Sequence, residues 1–166
     1  MAFQSGVNVY RGVGQVGHPA STSPIVAAAG GPGAYVAAAA GVSIATFVFR
    51  SAIGSKTVTN VAPEADSVPV GFIQNLAQAI IPYRGAQSML IPGGVEISPK
   101  VAGDFWAHST TDATEGQKVF VSVTNGTIAT GAAGATVAGH VETKDWYVSH
   151  GATAGDLIII STWSKE

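Results

Sequence analysis

Between Arg11 and Arg50 the chain carries no charged side chain, and this absence restricts what the sequence can fold into. A run of that length invites comparison with a membrane helix, which needs about 20 predominantly apolar residues with unbroken backbone hydrogen bonding. Gly30, Pro32 and Gly33 interrupt the run, and alanine, its most frequent residue, contributes little transfer free energy. We therefore expect no membrane partner, and a surface that another subunit covers instead.

The low charge extends to the whole chain. Charged residues make up 11% of the 166 residues, against about 25% in typical soluble domains. An uncharged surface of this kind predicts an oligomer or a component of a larger shell rather than a free monomer. The alternative is a soluble protein that is simply rich in small residues.

The remaining composition narrows the class further. The chain has no cysteine, so stability must come from core burial or from oligomerisation rather than from disulfides or thiolate metal sites. Its first residues lack the basic start and apolar core of a secretion signal, which predicts synthesis in the cytoplasm. Arg11, Arg50 and Lys56 are too scattered to form a nucleic-acid patch, so no nucleic-acid partner is expected.

Most of the sequence predicts short β-strands. The clearest unit is residues 118–130, where Asn125 and Gly126 separate two β-rich runs. Asn-Gly is a strong hairpin signal because both turn residues can take positive φ. Several short strands at this spacing are typical of a small antiparallel β-barrel or β-sandwich. Further strands are predicted over residues 45–50, 68–73, 95–101, 136–143 and 156–163.

Three features complete the predicted organisation. Phe72, Leu76 and Ile80 recur every four residues, which favours a short helix near residues 72–81. Residues 46–59 and 68–75 loosely repeat the pattern of residues 119–131 and 136–143, although chance similarity among Val, Thr and Gly explains this equally well. The expected division is an extended N-terminal arm, residues 1–24, and a single β-rich domain, residues 25–166.

No motif in the chain predicts catalysis, a cofactor or a metal. Gly12, Gly14 and Gly17 spell G-x-G-x-x-G, but no helix start and no ribose-binding acid follow, so a flexible glycine-rich arm is favoured. The histidines lack the short spacing of metal ligands. Carboxylates at turns are more often caps than a glycosidase pair. The residues considered are His18, His108, His140, His150, Asp104, Asp112, Glu115, Glu142 and Asp145.

Three parts of the chain carry a family resemblance. They are the opening MAFQS with its Gly- and Pro-rich arm, the central VGFIQNLAQAIIPYRGAQSMLIPGGVEISPKVAGDFWAHST, and the closing EGQKVFVSVTNGTIATG, ATVAGHVET and AGDLIIISTW. Together they resemble the head decoration proteins of tailed bacteriophages, also called structural cement proteins. The resemblance implies a non-enzymatic virion protein on the outer surface of an icosahedral capsid. It further implies a homotrimer that clamps adjacent major capsid proteins.

Contact residues follow as hypotheses. The arm, including Phe3, Val7, Tyr10 and Arg11, is expected to extend over a neighbouring subunit. Trp106 and Trp146 are candidates for subunit contact because aromatic residues are enriched at interface cores, and the alternative is that they anchor the β-core.

Two other functions stay open. A carbohydrate-binding or hydrolytic β-domain of a phage tail would use Trp106 or Trp146 as a sugar platform beside an acid. A principal shell or tail subunit would assemble by itself into closed shells or tubes.

Overall fold

The computed structural model describes residues 14–28, 35–76 and 89–163, and these ranges contain β-strands and no helix. The predicted all-β class is confirmed. None of the described residues belongs to a helix long and apolar enough to cross a membrane. The strands are β1 (Val26–Ala27), β2 (Tyr35–Ala37), β3 (Val42–Ser43), β4 (Phe47–Arg50), β5 (Thr57–Thr59), β6 (Gly71–Phe72), β7 (Leu90–Ile91), β8 (Glu96–Ile97), β9 (Lys100–Ala102), β10 (Asp104–His108), β11 (Lys118–Ser122), β12 (Ile128–Gly131), β13 (His140–His150) and β14 (Leu157–Ser161).

Five strands form an antiparallel sheet in the order β10-β14-β13-β11-β12. The predicted hairpin of residues 118–130 is confirmed, with Val119 opposite Thr130 and Val121 opposite Ile128. Val119 and Val121 of β11 lie in the core, and Phe120 between them is buried as well, so both faces of this strand are covered.

The hairpin loop differs from the predicted turn. Gly126 has a φ of 71°, whereas Asn125 is not among the residues with positive φ. The Gly126 amide donates to the Ser122 carbonyl at 3.0 Å, which closes a loop over residues 123–126. Thr127 donates from its amide and its hydroxyl to the Asn125 side-chain oxygen. Asn125 therefore acts through its side chain, and only the glycine supplies the left-handed backbone.

The five-stranded sheet curls until its two edges meet. Beyond the end of β10, Ser109 forms a parallel bridge with Ile128 of β12. The Thr110 amide donates to the Ile128 carbonyl at 2.8 Å, and the Thr130 amide donates to the Thr111 hydroxyl at 2.9 Å. These bonds cover the β12 edge, which removes one place where a foreign strand could pair.

Seven strands form a second sheet in the order β1-β9-β6-β4-β5-β2-β8. One pair departs from the predicted antiparallel pattern: β2 and β5 are parallel, with Val36 opposite Thr57 and Ala37 opposite Val58. The β3 and β7 strands form a small separate pair. The curled sheets combine a half-barrel with a sandwich-like arrangement.

The loose sequence repeat has a counterpart in strand order. β4 lies between β6 and β5, and β11 lies between β13 and β12, so the first strand is central in both units. The glycines do not correspond, because Gly71 lies inside β6 opposite Val48, whereas Gly139 precedes β13 in a turn. The two units share their connectivity but not their register.

The helix predicted near residues 72–81 is wrong over residues 72–76, and residues 77–81 lie outside the described ranges. Phe72 pairs with Phe47 of β4, and the Ile73 amide donates to the Thr46 carbonyl at 2.9 Å. Phe72 and Ile73 are both buried. Pairing with β4 and burial of two adjacent side chains outweigh the four-residue periodicity.

An aromatic cluster holds the two large sheets together. Phe47 of β4 and Phe72 of β6 pack against Phe105 of β10 and Trp146 of β13. Ring centroids lie between 5.2 Å, for Phe72 and Phe105, and 6.2 Å, for Phe72 and Trp146. A second buried cluster, which includes Tyr35, lies within the seven-stranded sheet and the β3–β7 pair.

The contact between the hairpin loop and β4 gives a test of this architecture. The Phe47 amide donates to the Gly126 carbonyl at 2.9 Å, and a Cβ on Gly126 would overlap the Phe47 carbonyl oxygen. We expect Gly126→Ala to lower the free energy of unfolding by roughly 3 kcal/mol or more, since backbone strain and steric overlap add. Urea denaturation measures the loss.

Gly116→Ala is the matched control. Gly116 has a φ of 84° with nothing within 4 Å of its added Cβ, so only the conformational cost of about 1 kcal/mol is expected. Equal losses in the two variants would contradict the inferred packing of the loop on β4.

Candidate functional site

Residues 14–24 lie beside β10, with an isolated antiparallel bridge between Pro19 and Phe105. The Gly17 amide donates to the Trp106 carbonyl at 2.7 Å, and the Trp106 amide donates to the His18 carbonyl at 3.0 Å. The Ala20 amide donates to the Asp104 carbonyl at 2.8 Å. This segment, which we call the docked segment, therefore covers the other edge of the five-stranded sheet.

Two glycines allow the docked segment to approach the domain. A Cβ on Gly14 would overlap the Trp106 indole. Gly17 has a φ of 79°, and its carbonyl accepts from the Asn75 amide at 2.9 Å. The G-x-G-x-x-G pattern thus serves close backbone packing at these two positions, and Gly12 lies outside the described residues.

A buried carboxylate fixes the docked segment at its far end. Asp104 is 2% exposed, and its two oxygens accept hydrogen bonds of 2.5 Å from Ser21 and Ser161. These hydroxyls belong to the docked segment and to β14, so one side chain joins three parts of the chain. Trp163 adds a bond of 3.1 Å from its indole nitrogen to the Pro24 carbonyl. A buried carboxylate without such donors would be strongly destabilising.

The predicted contact residues fall into three groups. Phe3, Val7, Tyr10 and Arg11 lie outside the described residues. Trp106 is half-buried beside Gly14, at the point where the docked segment begins.

Trp146 lies in the aromatic cluster with 5% of its surface exposed. This placement agrees with the alternative that Trp146 anchors the β-core.

Asp112 and Glu142 each hold a loop by accepting from a backbone amide. Asp112 accepts from the Ala154 amide at 2.8 Å, and Glu142 accepts from the Gly134 amide at 2.9 Å. Across residues 14–28, 35–76 and 89–163, no three His, Cys, Asp or Glu side chains group as metal ligands. These acids occupy capping roles, as expected for carboxylates at turns.

Few charges interact with one another in the described ranges. His150 and Glu115 lie 3.6 Å apart with both side chains exposed to solvent, so their attraction is largely screened. Burial lowers the pKa of the Lys100 ammonium on β9. The local electrostatics therefore depend on the buried hydrogen bonds of Asp104 rather than on ion pairs.

The role of Asp104 was not predicted from the sequence. Asp104 lies in the GDFW motif, and the sequence shows it only as one of several carboxylates. Its donors are 83 and 57 residues away along the chain, and no spacing rule connects them. The adjacent Gly103, with a φ of 145°, is the one local sign that the backbone is specialised there.

Replacing Asp104 tests how the docked segment is held. We expect Asp104→Ala to lower the free energy of unfolding by about 2–4 kcal/mol, because the buried Ser161 hydroxyl and the Ser21 hydroxyl of the docked segment both lose their acceptor. Amide hydrogen exchange at Gly17 and Ala20 should accelerate more than exchange in β11. Denaturation and exchange mass spectrometry measure the two effects.

Asp156→Ala provides the control, since Asp156 accepts one exposed hydrogen bond from Thr153. Its expected cost is within about 0.5 kcal/mol. Unchanged exchange at Gly17 and Ala20 in Asp104→Ala would contradict the anchoring role.

Comparison with known proteins places the chain among phage proteins. The family model of the XM1 gp53 minor capsid protein matches residues 3–162. A chain in the solved capsid of Myoviridae phage XM1 is similar over 98% of both chains, with a TM-score of 0.62 and 15% identity, which shows a common fold.

The head fiber gp8.5 N base of bacteriophage phi29 is also similar, at a TM-score of 0.43 and 14% identity, over 86% of this chain and 99% of that one. A search of curated proteins gave no match. The family model covers nearly the whole chain, and the predicted resemblance to phage head proteins is confirmed. The chain belongs to the XM1 gp53 minor capsid protein family.

Proposed function

We propose that this capsid protein decorates the outer surface of the phage head and clamps adjacent major capsid proteins. In this proposal it acts as a homotrimer, without catalysis, and stabilises the mature shell. The observation that carries the proposal is the docked segment, which attaches residues 1–13 to the β-domain beside Trp106. The family match supports a place in the virion.

The docked segment suits a clamp because it is fastened at both ends. Backbone bonds to Trp106 and Asp104 hold it along β10, and Ser21 ties it to a buried carboxylate. A partner that binds residues 1–13 would then pull on the folded domain rather than on a loose tail. Two attachments to neighbouring capsid proteins raise the effective concentration of each, so modest contacts add up to firm binding.

The proposed division of labour follows from this attachment. Residues 1–24 form the arm, whose first 13 residues, including Phe3, Val7, Tyr10 and Arg11, contact the shell. Residues 25–166 form the domain that sits on the capsid. Trp106 lies where the two meet, and we propose that it contributes to the shell contact.

The carbohydrate-binding or hydrolytic alternative requires an exposed indole face beside a carboxylate. Asp145 adjoins Trp146, but the Trp146 side chain is only 5% exposed. The Trp106 indole is partly covered by Gly14. Trp146 is thus buried in the core and Trp106 is covered in part by the docked segment, so the capsid proposal is preferred.

Truncation tests the clamp. We expect removal of residues 1–13 to lower occupancy on purified capsids at least about tenfold, because one of two linked attachments is lost. Thermal unfolding of the free protein should stay unchanged, since the docked segment remains. Binding to particles is measured by sedimentation followed by cryo-electron microscopy.

Removal of residues 1–24 is the comparison. This deletion also exposes the β10 edge and removes the Ser21 bond to Asp104, so the melting temperature should fall as well. Full occupancy on capsids by the protein that lacks residues 1–13 would contradict the clamp proposal. Binding to the inner surface of the shell would overturn the outer placement.

A further inference from the structure

Ile53 is an apolar side chain presented to solvent on a rigid tip. It is 106% exposed and lies in the loop that joins β4 to β5. The Ser55 amide donates to the Ala52 carbonyl at 3.0 Å, and Gly54 has a φ of 73°. The Ser51 and Ser55 hydroxyls lie 3.0 Å apart across the base of the loop. The tip is preorganised, so a partner that buries Ile53 would lose little conformational entropy.

A groove of about 520 Å³ lies beside this tip. Its walls are mainly apolar and include Tyr35, Pro63, Val68 and Val101, with Val68 75% exposed. Three of the exposed large apolar side chains of the described ranges, Ile53 among them, line this groove. Clustering of this kind marks an interaction surface more often than scattered exposure does.

The groove wall is firmly built. Arg50 donates to the Tyr35 hydroxyl at 2.8 Å and lies 5.4 Å from the centre of the same ring. On the opposite side, the Glu64 amide donates to the Ser67 hydroxyl at 3.1 Å, and the Ser67 amide donates to the Glu64 carbonyl at 3.2 Å. Both walls keep their shape without an occupant.

The two loops that border the groove carry opposite charge. Lys56 ends the Ile53 loop, and Glu64 and Asp66 lie on the loop of residues 61–69. All three side chains are exposed, and none forms an ion pair within the described parts of the chain. A second molecule that placed its Ile53 loop on this groove would bring Lys56 to the two acids. The surface is therefore complementary in charge to another copy of itself.

We propose that this groove binds the Ile53 loop of a second copy of the chain. Ala52 and Ile53 also line the groove, so loop and groove form one surface patch, and the contact is isologous and pairs two copies about a two-fold axis. This pairwise contact goes beyond the proposed trimer and adds a second mode of self-association. The docked segment does not line the groove.

Substitution of Ile53 tests the contact in the full-length protein. We expect Ile53→Asp to raise the dissociation constant of the oligomer roughly 30-fold, the effect of a hot-spot residue. Leu90→Asp, at a side chain that is 40% exposed and outside the groove, should change it by less than about twofold. Analytical ultracentrifugation measures mass, and circular dichroism verifies folding of each variant.

Charge reversal gives an independent readout. Lys56→Glu alone and the pair Glu64→Lys with Asp66→Lys should each weaken self-association about threefold to tenfold. The triple variant, which reverses both loops, should regain most of the wild-type affinity because the charges match again. Failure of the triple variant to recover would contradict the pairing of these loops.

The outcomes separate this inference from the proposed function. A folded Ile53→Asp variant with wild-type mass overturns the contact. The contact is also overturned if the wild-type protein is monomeric and Ile53→Asp abolishes its binding to capsids. That result would assign the groove to the shell. A wild-type oligomer that dissociates in Ile53→Asp, yet binds no capsid, supports the contact and refutes decoration.

Discussion

The packing of four aromatic rings between the two sheets is the interaction on which the rest of the structure depends. Phe47 and Phe72 come from the seven-stranded sheet, and Phe105 and Trp146 come from the five-stranded one. The strands are short, and several have only two or three residues, so backbone pairing alone gives each little stability. Aromatic side chains bury about 150–250 Å² each, which makes this cluster the main apolar link between the sheets.

The cluster also determines where the arm attaches. β10 alternates in the usual way, so Phe105 enters the core while its neighbours Asp104 and Trp106 meet the docked segment. A shift of β10 by one residue would exchange these faces and place the carboxylate against the aromatic rings. Core packing and arm attachment are thus two results of one register, since the strand that completes the cluster also presents the anchor.

Sequence reasoning succeeded where the determining interactions are local. The hairpin of β11 and β12 follows from two β-rich runs on either side of Asn125 and Gly126, all within a few positions of each other. It failed for the parallel pairing of β2 with β5 and for the docking of Ser21 on Asp104, 83 residues away, because such contacts depend on the assembled fold. The predicted helix failed for the same reason: at Phe72 the pairing with Phe47 overrides a periodicity that is only local.

The scarcity of charge takes on a more specific meaning once the surface is known. Lys56, Glu64 and Asp66 are exposed and lack ion-pair partners in the described ranges, and they border the groove where Ile53 and Val68 meet solvent. Apolar area supplies most of the free energy when surfaces associate, while the few charges choose register and exclude wrong partners. A chain that is covered on several sides needs little charge for solubility in its assembled state. In the proposed contact, Lys56, Glu64 and Asp66 lie at the border of the apolar area that the two copies bury.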